Sequence, residues 1–252
     1  MLLDGFRRFS RDLADLAFPG QCVACRATTS HGHVSLCPAC EKIMSRIESR
    51  PQCIDCGAPL AVEDSPCQRC LGRGYRSFEH VINLGVFEAT LATLIRRMKF
   101  AHGWPMGELL AERCENVPRI MSLMRHIDVI VHVPLHWKRQ VMRGFDQSSV
   151  IAKRLGRVFD KPVASPVIRS RATDAQSLQT SRVARARNVR DAFTLVRQRG
   201  IIGRRVLIVD DVMTTGSTIK SFTRALRPAG AASVSLFTLA VADPKGYAFE
   251  AV

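Results

Sequence analysis

The spacing of apolar positions changes twice along the chain. Leu2, Phe6, Phe9, Leu13 and Leu16 recur at helical intervals, with Arg7, Arg8 and Arg11 on other faces. They predict an amphipathic helix over residues 1–17 that docks on its own domain. From 18 to 74 apolar residues are too few between the punctuating Cys, Gly and Pro to build a core. After Gly72-Arg73-Gly74 a strand-like run, Val81 to Phe87, leads into a helix carrying Leu91, Leu94, Ile95 and Met98. A second helix covers Met106 to Cys114, where the lone Cys114 reads as a packing residue. Ile127 to Val133 is a compact apolar strand, followed by a loop and a helix from Asp146 to Val158. Arg205 to Val209 is a second buried strand, with a helix from Ser217 to Leu226, and Ser233 to Ala240 is a third. Strands alternating with helices at these lengths predict a parallel sheet covered by helices, with ligands beyond the carboxyl ends of the strands. The organisation is therefore a helix over 1–17, a small module over 18–74 and an α/β domain over 78–252.

Composition narrows the function classes. The 252 residues carry 37 Lys plus Arg against 22 Asp plus Glu, a net charge of +15, with 46% apolar residues. That apolar share excludes a disordered chain. No apolar run nears the roughly 20 residues of a membrane span, and the first residues lack a secretory pattern. The sequence thus predicts a soluble, cytoplasmic protein without membrane insertion. Between Arg169 and Arg205 there are ten Arg and only two acids, Asp174 and Asp191. One reading is a solvated basic surface. The other is a partner bearing phosphates, either nucleic acid or a phosphorylated small molecule.

Eight of the nine cysteines form four C-x-x-C pairs: Cys22/Cys25, Cys37/Cys40, Cys53/Cys56 and Cys67/Cys70. Each pair sets two thiolates on a tight knuckle, half of a tetrahedral zinc shell, so four pairs provide for two structural Zn2+ ions. A disulfide framework would need an oxidising compartment, which nothing in the sequence indicates. Sequential and interleaved pairing of the knuckles use the same residues and both remain open. His31 and His33 lie between knuckles but find no vacancy in the shells. With so little apolar material, the metal would supply the folding free energy of this module.

The run from Val206 to Thr218 joins a buried strand, the acids Asp210 and Asp211, and a loop of Thr214, Thr215, Gly216, Ser217 and Thr218 opening a helix. Adjacent carboxylates offer acceptors for two vicinal hydroxyls. A helix start rich in backbone N–H and hydroxyl groups cradles an anion, and Gly216 allows close approach. Together they suit a ribose 5-phosphate. The G-x-x-x-x-G-K spacing of a Walker loop is absent.

This stretch resembles the phosphoribosyl pyrophosphate (PRPP) motif of type I phosphoribosyltransferases. Val131 to Arg139, then Arg143-Gly144-Phe145-Asp146-Gln147, Met98-Lys99-Phe100 and the segment from Arg171 to Asn188 narrow the resemblance to the ComF family. In that family a double zinc ribbon precedes the transferase-like domain. The resemblance implies an α/β parallel-sheet type I phosphoribosyltransferase fold with an N-terminal zinc-ribbon module. It implies that Asp210 and Asp211 hold the ribose hydroxyls and that Thr214 to Thr218 bind the 5-phosphate. Lys138 and Arg139 would face the pyrophosphate, with Mg2+ entering alongside PRPP, while Arg143 and the segment from Gln176 to Asn188 resemble the mobile loop that closes over the substrate, with Arg182 as a pyrophosphate contact. Asp146 stands where the family pattern has Asn, and capping of the following helix is its expected role. His132 reads as a core residue, and His136 as a loop residue that either hydrogen-bonds the scaffold, the favoured reading, or approaches the ligand.

The resemblance further implies a part in DNA uptake during natural transformation, by handling single-stranded DNA. The alternative is an active phosphoribosyltransferase, a pentosyl-transferring enzyme whose acceptor no residue identifies. Its ribbons would then dock a helicase-like or recombination protein. The hood that closes such active sites is expected from Val81–Phe87 and the helix after it.

Overall fold

A computed structural model describes residues 20–29, 35–71, 75, 77–100, 103–170, 192–214 and 216–242. The predicted helix over 1–17, His31, His33, Thr215, Gln176 and Arg182 lie outside the described residues.

Five parallel strands form the centre: β3 (Val81–Val86), β4 (Val129–His132), β5 (Val163–Ala164), β8 (Arg205–Met213) and β9 (Ser233–Val241), in spatial order β3-β9-β8-β4-β5. Two short strands near the N-terminus, β1 (Gly20–Gln21) and β2 (Thr28–Thr29), pair antiparallel, as do β6 (Val167–Arg169) and β7 (Phe193–Leu195). The sheet is closed to water on both faces, which a parallel sheet requires. Its side chains sort by alternation. Ile82, Leu84, Ile130, Leu207, Val209, Phe237 and Leu239 enter one core, while Val81, Val129, Val131, Val206, Ile208 and Leu236 enter the other. Helices α1 (Pro38–Ser49), α2 (Ala89–Met98), α3 (Trp104–Cys114), α4 (Pro118–Arg125) and α6 (Gln147–Val158) supply the first core. The second core takes Ile219, Phe222 and Leu226 of α7 (Ser217–Leu226), with Val167 and Phe193 of the β6–β7 ribbon. A proline stands in the first turn of α1, α3 and α4, where its missing N–H costs no hydrogen bond.

Four expectations change. Strand β8 does not stop at Val209; it continues through Asp210 and Asp211 to Met213, because β9 stays paired beside it, Asp210 with Thr238 and Val212 with Ala240. The stretch holding Lys138 and Arg139 is a helix, α5 (Trp137–Arg143), rather than a loop. The run expected to build a hood, Val81 onward, is instead the edge strand of the main sheet. Finally, the ribbon segment is not without a core. Cys40, Met44 and Ile47 share one face of α1, and Met44 and Ile47 are buried among the residues that cover the sheet.

That edge strand is sealed by the ribbon segment. Gln52 pairs with the backbone of Asn83 in both directions, at 3.0 and 3.2 Å, and the Val81 N–H donates to the Ile54 carbonyl at 2.8 Å. Asn83 Nδ2 donates to the Gly57 carbonyl at 2.6 Å. Arg119 donates to the carbonyls of Asn83, Leu84 and Glu48, tying β3, α4 and the end of α1 together. An edge whose ladder groups are satisfied this way cannot template pairing with another chain. Gly85 is where α1 approaches most closely, since a Cβ there would stand 2.0 Å from Ile47 Cγ2.

Because α1 belongs to the common core, Met44→Ala should destabilise the sheet itself by about 2–5 kcal/mol. Both tryptophans, Trp104 and Trp137, lie outside the ribbon segment, so their fluorescence reports the α/β part. A lower denaturant midpoint by tryptophan fluorescence is expected. An unshifted tryptophan transition would mean that the ribbon unfolds by itself.

Candidate functional site

The cysteines gather into two clusters, Cys22/Cys25/Cys37/Cys40 and Cys53/Cys56/Cys67/Cys70, each with all four Sγ atoms within 4.8 Å of one another. Pairing is thus sequential. Sγ separations of 3.6 Å (Cys25–Cys37), 3.7 Å (Cys53–Cys70) and 3.6 Å (Cys56–Cys67) are far beyond a disulfide bond. They approach the edge of about 3.8 Å of a tetrahedron with Zn–S bonds of ~2.3 Å. The donor set therefore fits structural zinc, two ions in two shells of four thiolates each. Cys37 caps α1 and Cys40 lies in its first turn, so the positive end of the helix faces the first shell. Without a cation, burial pushes the Cys40 thiol up to about 12 and the Cys53 thiol up to about 11.

A cleft of about 490 Å³ opens at the carboxyl end of the sheet. Asp210, Asp211, Thr214, Thr218 and Arg143 line it together with Lys99, Gln147, Ser148 and Arg169. Asp210 Oδ1 accepts from Ser148 Oγ at 3.1 Å and from the Asp211 N–H at 2.9 Å. Asp211 faces Lys99 Nζ at 3.0 Å and takes the Val212 N–H at 2.6 Å. Burial, then the neighbouring Asp211 charge, pushes the Asp210 carboxyl up to about 7. Beyond the acids, Gly216 turns the chain in the left-handed region at φ 71° and caps α7, which begins at Ser217. Lys138 and Arg139 sit on α5, which follows the carboxyl end of β4.

Asp146 caps α6 as expected. Its Oδ1 accepts from the Ser149 N–H at 3.0 Å and its Oδ2 from the Leu135 N–H at 2.7 Å, so it also fixes the turn after β4. Arg143 donates to Gln147 Oε1 at 3.1 Å, while Gln147 Nε2 is buried with no hydrogen-bond partner among the described residues. His132 Nε2 pairs with Ser165 Oγ at 3.0 Å, and burial lowers its pKa, consistent with a scaffold role. Cys114 is fully buried, its thiol on the Leu110 carbonyl.

Sequence reasoning did not single out Lys99, Gln147, Ser148 or Arg169 as site residues. Lys99 had a signal in the Met98-Lys99-Phe100 triplet, and Ser148 follows directly on Asp146-Gln147. Arg169 was legible only as the first member of the arginine-rich stretch. Among the described residues, no helix is long and apolar enough to cross a membrane.

Comparison with known proteins follows the same division of the chain. Residues 13–71 match the double zinc ribbon domain and residues 145–250 the phosphoribosyl transferase domain. The chain is 32% identical over 229 residues to the DNA utilization protein YhgH of Escherichia coli, covering 89% of this chain and 98% of that one. It is 29% identical over 227 residues to competence protein F of Haemophilus influenzae, covering 88% and 97%. Among solved structures, the glutamine PRPP amidotransferase from B. subtilis is 24% identical over 58% of this chain and 26% of that one, with a TM-score of 0.34.

In an unfolded chain Asp210 would ionise near pH 4, whereas in the folded protein it does so near 7. The folded state thus holds the proton more tightly. Its contribution to stability is complete below about pH 4 and is lost as pH rises through the folded value. Ligand-free Asp210→Asn should therefore unfold at a higher temperature than the wild type at pH 8, the advantage closing by pH 4. A Tm difference independent of pH would contradict this assignment.

Proposed function

Because the chain belongs to the ComF family, a double zinc ribbon followed by a phosphoribosyltransferase domain, we propose that its cleft binds PRPP or a related phosphorylated ribose and that this binding serves the handling of single-stranded DNA during DNA uptake. One observation carries the reading: two adjacent carboxylates and a glycine-capped helix start lie at one end of the central strand, around a single cleft.

Each group has a role suited to its chemistry. Asp210 and Asp211 accept hydrogen bonds from the ribose 2- and 3-hydroxyls. Ser148 holds the Asp210 carboxylate in place, and Lys99 balances the second charge. Thr214, Gly216, Ser217 and Thr218, with Thr215 between them, receive the 5-phosphate on N–H and hydroxyl groups at the positive end of α7. Arg143, Lys138 and Arg139 take the pyrophosphate, and Gln176 and Arg182 belong to the segment that would cover it. Mg2+ entering with PRPP supplies charge neutralisation on the pyrophosphate. The two zinc ions are structural.

Support for the DNA part is of another kind. The net charge of +15 and the arginine-rich stretch from Arg169 to Arg205 suit a phosphate backbone. The names of the relatives from Escherichia coli and Haemophilus influenzae point to DNA utilization and competence. Transfer of ribose 5-phosphate to an acceptor would use the same binding step, and the match to a transferase domain favours it as the second reading. Release of pyrophosphate from PRPP separates the two.

Calorimetric titration of Mg-PRPP into the zinc-loaded protein and into an Asp210→Asn/Asp211→Asn variant tests the pocket. The variant loses charge-assisted hydrogen bonds worth roughly 1.5–3 kcal/mol each, so affinity should fall by at least about a hundredfold. Wild-type affinity in the variant would remove the acids from the site. Repeating the titration with single-stranded DNA bound should change the PRPP affinity, and indifference to DNA would favour the independent transferase.

A further inference from the structure

Gly216 has no side chain to hold it in its left-handed conformation, yet another residue lies against it. Tyr75 Cε1, Oη and Cζ are 3.5, 3.7 and 3.8 Å from where a Cβ on Gly216 would stand. Tyr75 is not part of the transferase sheet. It follows the last cysteine knuckle, and its N–H donates at 3.1 Å to the carbonyl of Asp55, which lies between Cys53 and Cys56. Its ring packs at once against the second cysteine cluster and against the core that contains α7. The chain after it is pinned as well: the Phe78 N–H donates to the Tyr75 carbonyl, and the Val81 N–H to that of Ile54, both at 2.8 Å.

We infer that Tyr75 is a positioning residue for the phosphate end of the cleft, through which the second thiolate cluster governs anion binding at the start of α7. The inference rests on the ribose-phosphate reading for its ligand and on packing alone for its mechanism. A backbone cradle binds an anion well only if its N–H groups are already oriented, and a glycine-led turn is the backbone most free to lose that orientation. Tyr75 supplies the missing packing from outside. Its own position is set by the Cys53–Cys56 knuckle, whose conformation the metal fixes. Tyr75 packs against both clusters, a contact that an aromatic ring without the hydroxyl can still make, so phenylalanine should serve in its place.

The test uses the full chain, zinc-loaded, as wild type, Tyr75→Ala and Tyr75→Phe. Zinc content, hydrogen exchange of a peptide spanning residues 213–222, and Mg-PRPP affinity by calorimetry are measured on each. Tyr75→Ala should keep its zinc, exchange about tenfold faster in that peptide and bind PRPP about tenfold more weakly, with Tyr75→Phe close to wild type. Partial chelation of the wild type should reproduce the faster exchange, which covers the case of an alanine variant that folds poorly. Wild-type exchange in Tyr75→Ala, or in the chelated protein, overturns the inference. If the wild type itself does not bind PRPP, the ribose-phosphate reading fails, while the exchange comparison still decides whether Tyr75 positions the helix start.

Discussion

Two neighbouring carboxylates on a strand buried on both sides are the constraint around which this molecule is arranged. A sheet closed to water can carry charge only where its strands end, and even there each ion loses hydration. Asp210 responds by holding its proton to about pH 7, and its Oδ1 takes bonds from Ser148 and the Asp211 amide. Asp211 meets Lys99, brought in at the end of α2. The start of α6, the end of α2 and the start of α7 thus converge on two adjacent residues. Such a concentration of unfavourable electrostatics belongs at a functional site, and the proposed ligand, with its paired hydroxyls, would satisfy what the fold leaves short.

The second organising feature is the continuity between the metal-binding segment and the sheet. One face of α1 carries Cys40 toward the thiolate cluster and Met44 and Ile47 into the main core. The third knuckle hydrogen-bonds the edge strand, and Arg119 locks α1, α4 and β3 together through backbone carbonyls. The ribbons therefore close an exposed sheet edge that would otherwise need another cover. Tyr75 extends this continuity to the far side of the sheet, where it lies against the helix start that would meet a phosphate.

The strands and helices with strong periodicity were legible in the sequence because apolar alternation and helical spacing are local signals. The helix from Ser217 to Leu226 and the cap at Asp146 follow directly from residue order. The extension of β8 through Asp210 to Met213 was not legible, since charged residues argue against a buried strand and only pairing with β9 sustains it. Helix α5 leaves no periodic signal in the sequence because its apolar residues, Trp137, Val141 and Met142, are exposed and show no core-facing stripe. The contribution of Met44 and Ile47 was hidden for the opposite reason. Two apolar residues cannot make a core of their own, and their partners, such as Leu84 and Leu91, lie some forty positions away in the sequence. In the cleft, Asp210, Asp211, Thr214, Thr218 and Arg143 were readable from motifs and Lys99 carried a signal in its triplet, whereas Arg169 depends on tertiary placement.

The most direct measurement is diffraction from crystals of the zinc-loaded protein grown with Mg-PRPP. The account predicts one ligand in the cleft, its ribose hydroxyls on Asp210 and Asp211 and its 5-phosphate on the backbone of Gly216 to Thr218. A ligand bound elsewhere, or a cleft left empty at saturating PRPP, would contradict it.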